Sequence, residues 1–193
     1  MFTGIIAYMG KVVSQEGARF TFSAEEILLS KLDDGTSISI NGVCLTVLRK
    51  PTGDTFSVEV MPETEEKTML GDLQQGDRVN LELPATPETF LSGHIVQGHV
   101  DGVGTIKNIT VDGNSHLITI SIPETLSKYM VDKGSICVNG ISLTIITASL
   151  KEFSVGIIPF TWEHTMLSAV KVGDNVNIET DVFAKYVEKL IQK

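Results

Sequence analysis

Basic side chains are in short supply in this chain of 193 residues: 15 Lys and Arg stand against 24 Asp and Glu, a formal net charge of −9 at pH 7. A nucleic-acid binder would present a basic face, and an anionic membrane surface attracts basic segments, not acidic ones, so neither partner is expected. Long apolar runs are missing as well. No segment approaches the roughly 18–20 residues that cross a bilayer. The opening Met-Phe-Thr-Gly-Ile-Ile lacks the basic and apolar stretches of a signal peptide, so none is expected. Cysteine is limited to Cys44 and Cys137, and histidine to four residues. No Cys/His group has zinc spacing, so no metal is expected. Once the internal repeat below is drawn, Cys44 falls opposite Ser142 and Cys137 opposite Ser39. A duplicated disulfide framework would put cysteines in matching places, so free thiols in a reducing, cytoplasmic compartment are expected. What remains is a cytoplasmic enzyme or small-molecule binder.

What the chain does have, it has twice. Residues 61–82 (MPETEEKTMLGDLQQGDRVNLE) align without a gap with 158–179 (IPFTWEHTMLSAVKVGDNVNIE), and 11 of the 22 positions are identical, among them Pro62/Pro159, Thr64/Thr161, Met69/Met166, Asn80/Asn177 and Glu82/Glu179. Residues 36–47 (TSISINGVCLTV) answer 134–145 (GSICVNGISLTI) at almost the same offset. Repeats of about 20–50 residues build solenoids, whereas a repeat near half the chain length is a duplicated domain of ordinary size. Two similar halves make two similar pockets, so function is to be sought in a pair of related sites.

Most segments are short, β-branched and alternating, with Gly, Asn and Asp between them. This pattern predicts two small antiparallel barrels of about six strands each. Short helical turns are expected at 24–31, 63–70, 124–130 and 161–168, with Thr64 and Thr161 as N-caps. Residues 84–91 (PATPETFL) carry two prolines and no strand pattern, and read as the linker. At 182–193 the period becomes helical, with Val182, Phe183, Tyr186, Val187, Leu190 and Ile191 on one stripe. A helix of about 12 residues is marginal alone, so the stripe must pack on the barrels or on the same helix of other subunits. The expected boundaries are 1–87 and 88–182 for the barrels and 183–193 for the helix.

Each repeat holds an Asn-Gly pair between alternating strands, Asn41-Gly42 and Asn139-Gly140, the signal for a two-residue type I′ hairpin. That turn fixes the register. One face becomes Ile38, Ile40, Val43 and Leu45, and the other Ser37, Ser39, Cys44 and Thr46. The second copy repeats this with Ser135, Cys137, Ser142 and Thr144 on the second face. A solvated sheet face usually carries Lys or Glu, and these positions carry none. Small hydroxyls and thiols suit a close, hydrogen-bonded ligand. In the glycine-rich stretch 93–104, His94 and His99 are five residues apart and point to opposite faces of one strand, so they do not chelate a metal together. Gly98-His99-Val100 answers Gly4-Ile5-Ile6, so each barrel begins with an equivalent Gly-containing strand.

The opening MFTGII, the pair NGVCLTV and NGISLTI, the motifs MPET and IPFT, SGHIVQGHVDG and the ending VNIETDVFAKYVEKLI together resemble the riboflavin synthase family, over essentially the whole chain. The fold this implies is all-β: two tandem six-stranded antiparallel Greek-key barrels from an internal duplication, plus a short C-terminal α-helix. The implied reaction converts two molecules of 6,7-dimethyl-8-ribityllumazine into riboflavin and 5-amino-6-(D-ribitylamino)uracil by four-carbon transfer, with no cofactor and no metal. The implied assembly is a homotrimer, with association with lumazine synthase. A non-catalytic lumazine- or flavin-binding protein of the antenna type is the alternative.

Carried over residue by residue, the resemblance implies that Gly4, Ile5 and Ile6, then Cys44, Leu45 and Thr46, and Glu59, Val60, Met61, Pro62, Glu63 and Thr64 hold the lumazine of the first barrel. Gly98, His99, Val100 and Lys133 serve the second, with Ser142, Leu143 and Thr144 and with Ile157, Ile158, Pro159, Phe160, Thr161 and Trp162. Ser37, Cys44 and His99 are the implied catalytic groups, joined by Thr144 and Asp181 from the facing barrel, with His94 and Phe2 behind them. Phe160 stands where the family commonly has a polar residue.

Overall fold

The computed structural model describes residues 1–48 and 53–191. Twelve strands fall into two rings of six. The first contains β1 (Tyr8–Glu16), β2 (Arg19–Ala24), β3 (Ser37–Ile40), β4 (Val43–Thr46), β5 (Thr55–Glu59) and β6 (Arg78–Glu82), in the spatial order β4-β3-β6-β1-β2-β5. The second contains β7 (Gly102–Asp112), β8 (Ser115–Ser121), β9 (Ser135–Val138), β10 (Ile141–Ala148), β11 (Glu152–Ile157) and β12 (Asn175–Thr180), and closes as β10-β11-β8-β7-β12-β9. Replacing each strand of one ring by its counterpart gives the other, and all pairs are antiparallel. The all-β duplication expected from the repeats is what the chain forms.

Alternation places one face of every strand inside. Phe20, Phe22, Phe56, Ile38, Val58 and Leu81 fill the first barrel, and Ile106, Ile118, Ile120, Ile136, Phe153 and Ile178 fill the second. Each such side chain contributes roughly 1.5–3 kcal/mol by leaving water. In both copies the hairpin register follows the turn: Asn41 and Asn139 have φ of 46°, and Gly42 and Gly140 have φ of 80° and 81°. Ser39 therefore pairs with Cys44, and Cys137 with Ser142.

The helical turns also match across the copies: α2 (Pro62–Lys67) and α3 (Pro159–His164) each run into a 3₁₀ turn, Met69–Asp72 and Met166–Ala169. α1 (Glu26–Leu29) and the 3₁₀ turn Glu124–Tyr129 occupy the other two expected places. Thr64 and Thr161 are not N-caps. Proline, with its fixed φ, takes the first helical position, so the caps are Met61 and Ile158 and the threonines lie within the helices. The capping threonines are Thr68 and Thr165, whose hydroxyls donate to the carbonyls of Thr64 and Thr161 and accept from Leu70 and Leu167 N–H.

Four buried asparagines join the barrels about a pseudo-twofold axis. Asn80 donates its side-chain amide to the Asn139 carbonyl and accepts from Met166 N–H, both at 2.8 Å. Asn177 reciprocates, donating to the Asn41 carbonyl at 2.8 Å and accepting from Met69 N–H at 2.7 Å. Within each barrel the Asn41 and Asn139 side-chain oxygens accept from Asn80 and Asn177 N–H. The two tight turns lie back to back. A Cβ on Gly42 would come within 2.6 Å of Gly140 N, so neither turn accepts another residue there.

Helix α4 (Val182–Ile191) closes the described chain. Lys185 pairs with Asp101 at 2.7 Å, and Glu188 accepts from both Lys128 and Tyr129, fixing the helix to the second barrel. Its stripe faces outward: Phe183, Tyr186, Val187, Leu190 and Ile191 are 56–75% exposed.

Candidate functional site

The segments ahead of β1 and β7 form two short arms that lie against each other between the barrels. Phe2 N–H donates to the Val96 carbonyl at 2.6 Å and Val96 N–H donates to Phe2 at 3.1 Å. Phe2 and Val96 cover a small apolar cluster with the buried thiol Cys137, whose pKa burial pushes well up, and half-buried Cys44.

Each arm is held on one side by a carboxylate and on the other by a hairpin. Glu82, at the end of β6, accepts from Thr3 N–H and Thr3 hydroxyl, both at 2.7 Å, and from Gly4 N–H at 3.1 Å. Glu179, near the end of β12, accepts from Gln97, Gly98 and His99 N–H at 2.6, 2.9 and 3.0 Å. Burial raises the pKa of both carboxyls, and the backbone donors pull it back down. Sequence reasoning missed these two residues. Their identity in the repeat was visible, but not that they reach an arm.

The hairpin each arm meets belongs to the opposite copy from the one expected. The Gly4 carbonyl accepts from Ser142 N–H at 2.7 Å, and the Gly98 carbonyl from Cys44 N–H at 2.9 Å. Ile6 packs on the second core and Val100 on the first. Gly4 and Ile6 therefore lie against the second barrel, and Gly98 and Val100 against the first, with Ile5 and His99 on the same arms. The reason is geometric: each glutamate turns its arm away from the strand that follows and across the axis. Gly4 and Gly98 make this possible at φ of 75° and 81°, with contacts to Ser142 and Cys44 too close for a Cβ.

In the first barrel this gathers a cavity of about 240 Å³. Cys44, Glu63 and Thr64 line it as expected, joined by Gly98, His99 and Val100, which were expected at the second barrel, and by Val43, Lys67 and Thr68. It is smaller than the roughly 300–1,000 Å³ usual for ligand sites, and its rim is open. The exposed His99 ring stands on that rim. Lys67 pairs with Glu63 at 2.7 Å and draws the Glu63 pKa down. Ser37 and Thr46 pair across the far end of the hairpin. Leu45 and Val60 belong to the core, Glu59 meets Arg19 on the surface, and Met61 and Pro62 are exposed where α2 starts.

In the second barrel, Ser142 meets both Gly4 and the buried His94, whose Nδ1 lies 2.7 Å from the Ser142 hydroxyl. Burial lowers the His94 pKa, opposed by the Asp181 carboxylate. Asp181 also accepts from Phe183 N–H at 2.9 Å, capping α4. Leu143 packs on the core and Thr144 pairs with Ser135.

The helix wall differs most. Phe160 stacks on His164 at 4.1 Å, whose Nδ1–H donates to the Phe160 carbonyl. Trp162 stacks on His116 at 3.8 Å and 8°. The sequence reading named neither histidine. Ile157 is buried, while Ile158 is exposed, beside half-buried Pro159 and Thr161. Lys133 lies in an exposed turn at φ of 66°, where its N–H donates to the Ile145 carbonyl, and among the described residues no hydrogen bond or ion pair joins it to either arm.

The site thus has two composite halves, each made of one barrel's hydroxyl- and thiol-lined hairpin, the start of its helix and the other copy's arm. Backbone amides and small hydroxyls there can receive a polyhydroxylated ligand. Among the described residues no His, Cys, Asp and Glu gather as a metal site.

The lumazine binding domain family matches the chain twice, over residues 3–84 and 97–181. The full chain is 42% identical to the riboflavin synthase of Mycobacterium tuberculosis, covering 98% of it. It is also 38% identical over its full length to that of Bacillus subtilis, covering 91%. Among solved structures it is similar to LumP complexed with 6,7-dimethyl-8-(1'-D-ribityl) lumazine (27% identity, TM-score 0.83) and to LumP complexed with riboflavin (27%, 0.86), each match covering 93% of this chain and 99% of the other.

Proposed function

Because the chain belongs to the riboflavin synthase family, we propose that it converts two molecules of 6,7-dimethyl-8-ribityllumazine into riboflavin and 5-amino-6-(D-ribitylamino)uracil by four-carbon transfer. The observation that carries this reading is the pair of related, differently equipped half-sites. A reaction between two copies of one molecule needs two similar pockets with unequal roles. We take residues 1–87 and 88–182 as the two lumazine-binding units and the segment from 183 as the assembly helix, of which residues 192 and 193 lie outside the described structure.

The substrates bring their own reactive groups, so the protein's main task is to hold two rings in a reactive stack. Orientation of this kind is worth up to about 7–11 kcal/mol. The ribityl chain lies against the hairpin side chains Cys44, Thr46, Ser142 and Thr144. The remaining work is proton transfer off the C7 methyl of one lumazine and on and off the adduct, by Ser37, Cys44 and His99 with Thr144 and Asp181 from a facing barrel. The exposure of His99 at the rim of the first cavity supports its meeting a ligand carried by another subunit.

The outward stripe of α4 supports a homotrimer in which the first barrel of one subunit faces the second barrel of its neighbour. Lys133 joins the site only through such a neighbour. We place the enzyme in the cytoplasm, with lumazine synthase as the partner named by the resemblance. Mixing the protein with 6,7-dimethyl-8-ribityllumazine tests the reading. One riboflavin formed per two lumazines consumed, over many turnovers, is the expected result. Tight binding with altered fluorescence and no riboflavin would leave a carrier of the LumP kind.

A further inference from the structure

We infer that Glu179 is the positioning residue for His99, acting through the backbone of the arm, and that Glu82 is its catalytically silent counterpart. Glu179 is 2% exposed, and its two oxygens take three consecutive N–H groups, those of Gln97, Gly98 and His99. On its other side the arm is fixed by Gly98, whose carbonyl accepts from Cys44. Among the described residues the His99 ring makes no hydrogen bond, so its place at the cavity depends on how the arm backbone is held, by Glu179 and by the Gly98–Cys44 bond. Three donors converging on two oxygens call for an acceptor-only group. An amide would turn N–H₂ toward N–H and lose at least one bond.

The charged and titratable groups facing Glu179 are Lys185 from α4 and the Cys137 thiol from β9, with Asp101 bound to the same lysine. None of them touches the His99 ring, so no other group substitutes for the clamp. The other repeat supplies the control. Glu82 holds Thr3 and Gly4 by two N–H groups and the Thr3 hydroxyl, and the residue equivalent to His99 is Ile5, which has no titratable proton and whose N–H goes to the Thr3 hydroxyl. The two clamps hold equivalent arms, but only the Glu179 clamp reaches the N–H of the residue it aims.

The inference rests on the synthase reading, and its test separates the two. Riboflavin formation is measured for the unaltered chain, Glu179→Gln, Glu82→Gln, His99→Ala and the Glu179→Gln/His99→Ala double variant, with thermal unfolding of each. Glu179→Gln and Glu82→Gln should lower Tm alike. Glu179→Gln should lower kcat about 10- to 100-fold, the scale of a 1 Å misplacement, whereas Glu82→Gln should act mainly on KM. In the His99→Ala background, Glu179→Gln should add less than about twofold, because residues acting as one unit are not additive. An equal loss in both backgrounds, or an equal kcat loss from Glu82→Gln, overturns the inference. If Glu179→Gln does not fold, Glu179→Asp, one methylene shorter, decides by the same comparison. An unaltered chain that makes no riboflavin overturns the functional reading and the inference with it.

Discussion

The first and second barrels share a strand order, a turn and an arm, yet they part company at the wall that α2 and α3 present to the ligand. In the first barrel that wall carries the Glu63–Lys67 ion pair, with Glu65 bonded to Gln15. In the second, the same helix positions hold Phe160, His164 and Trp162, and His116 stands where the first copy has Ala18. Among the described residues, β10 pairs with β11 through Ile145, Thr147 and Ala148, and the matching edge of the first barrel meets β5 at the Val47–Val58 bridge and through Leu48 N–H donating to the Ser57 carbonyl. The duplicated scaffold keeps its core and its register, and the chemistry diverges where the backbone does not depend on the side chain.

The largest difference between the copies should come from the arms. His99→Ala should lower kcat about 10²–10⁴-fold, the usual contribution of a proton-transfer group, whereas Ile5→Ala at the matching position should change it only a few-fold. Steady-state riboflavin formation measures both, and equal losses would remove His99 from the chemistry.

Next in size is the shared axis, where the copies should not differ. Asn80→Ala and Asn177→Ala each orphan a buried carbonyl and a buried N–H, so each should cost about 2–4 kcal/mol. Denaturant melts should give the same value for both, and a clear inequality would show that the axis is not balanced.

A smaller effect is expected at the helix walls. Phe160→Glu, which copies the first wall onto the second, removes an aromatic contact of about 0.5–1.5 kcal/mol. It should weaken lumazine binding to the second site several-fold in a fluorescence titration. Glu63→Phe should do the reverse in the first.

The smallest expected effect is one of pH, carried by His94 of the second barrel. Burial lowers the folded His94 pKa, so this residue contributes stability above its unfolded value of about 6.5. That stability is lost as pH falls through the lower folded value. Melts from pH 7.5 to 5 should show a decline that His94→Gln flattens.

Much of this was legible in the sequence, for identifiable reasons. Asn41-Gly42 and Asn139-Gly140 fix their register locally, because type I′ geometry tolerates few other residues. The twelve strands follow from alternation, and the duplication from identity at positions such as Asn80 and Asn177. What escaped depends on distance through space. Thr64 was read as a cap, but the proline that starts the helix moves the cap to Met61. That the Gly4 and Gly98 arms cross to the other copy's hairpin is not legible, because nothing in a linear repeat says which copy an arm meets. Glu82 and Glu179 are identical across the repeat, but nothing local says that each reaches an arm. The cross-axis bonds of the asparagines join residues 59 and 136 positions apart, and the His116–Trp162 stack depends on which rings the barrel brings face to face.

The exchange of arms also governs inheritance. After duplication, two copies of a gene segment are ordinarily free to drift, and one can decay while the other keeps the work. Here each copy lends the other a wall of its binding site, so a change in one half is felt as an altered pocket in the other. Selection therefore sees the two halves as a single heritable unit, even where their side chains have grown apart.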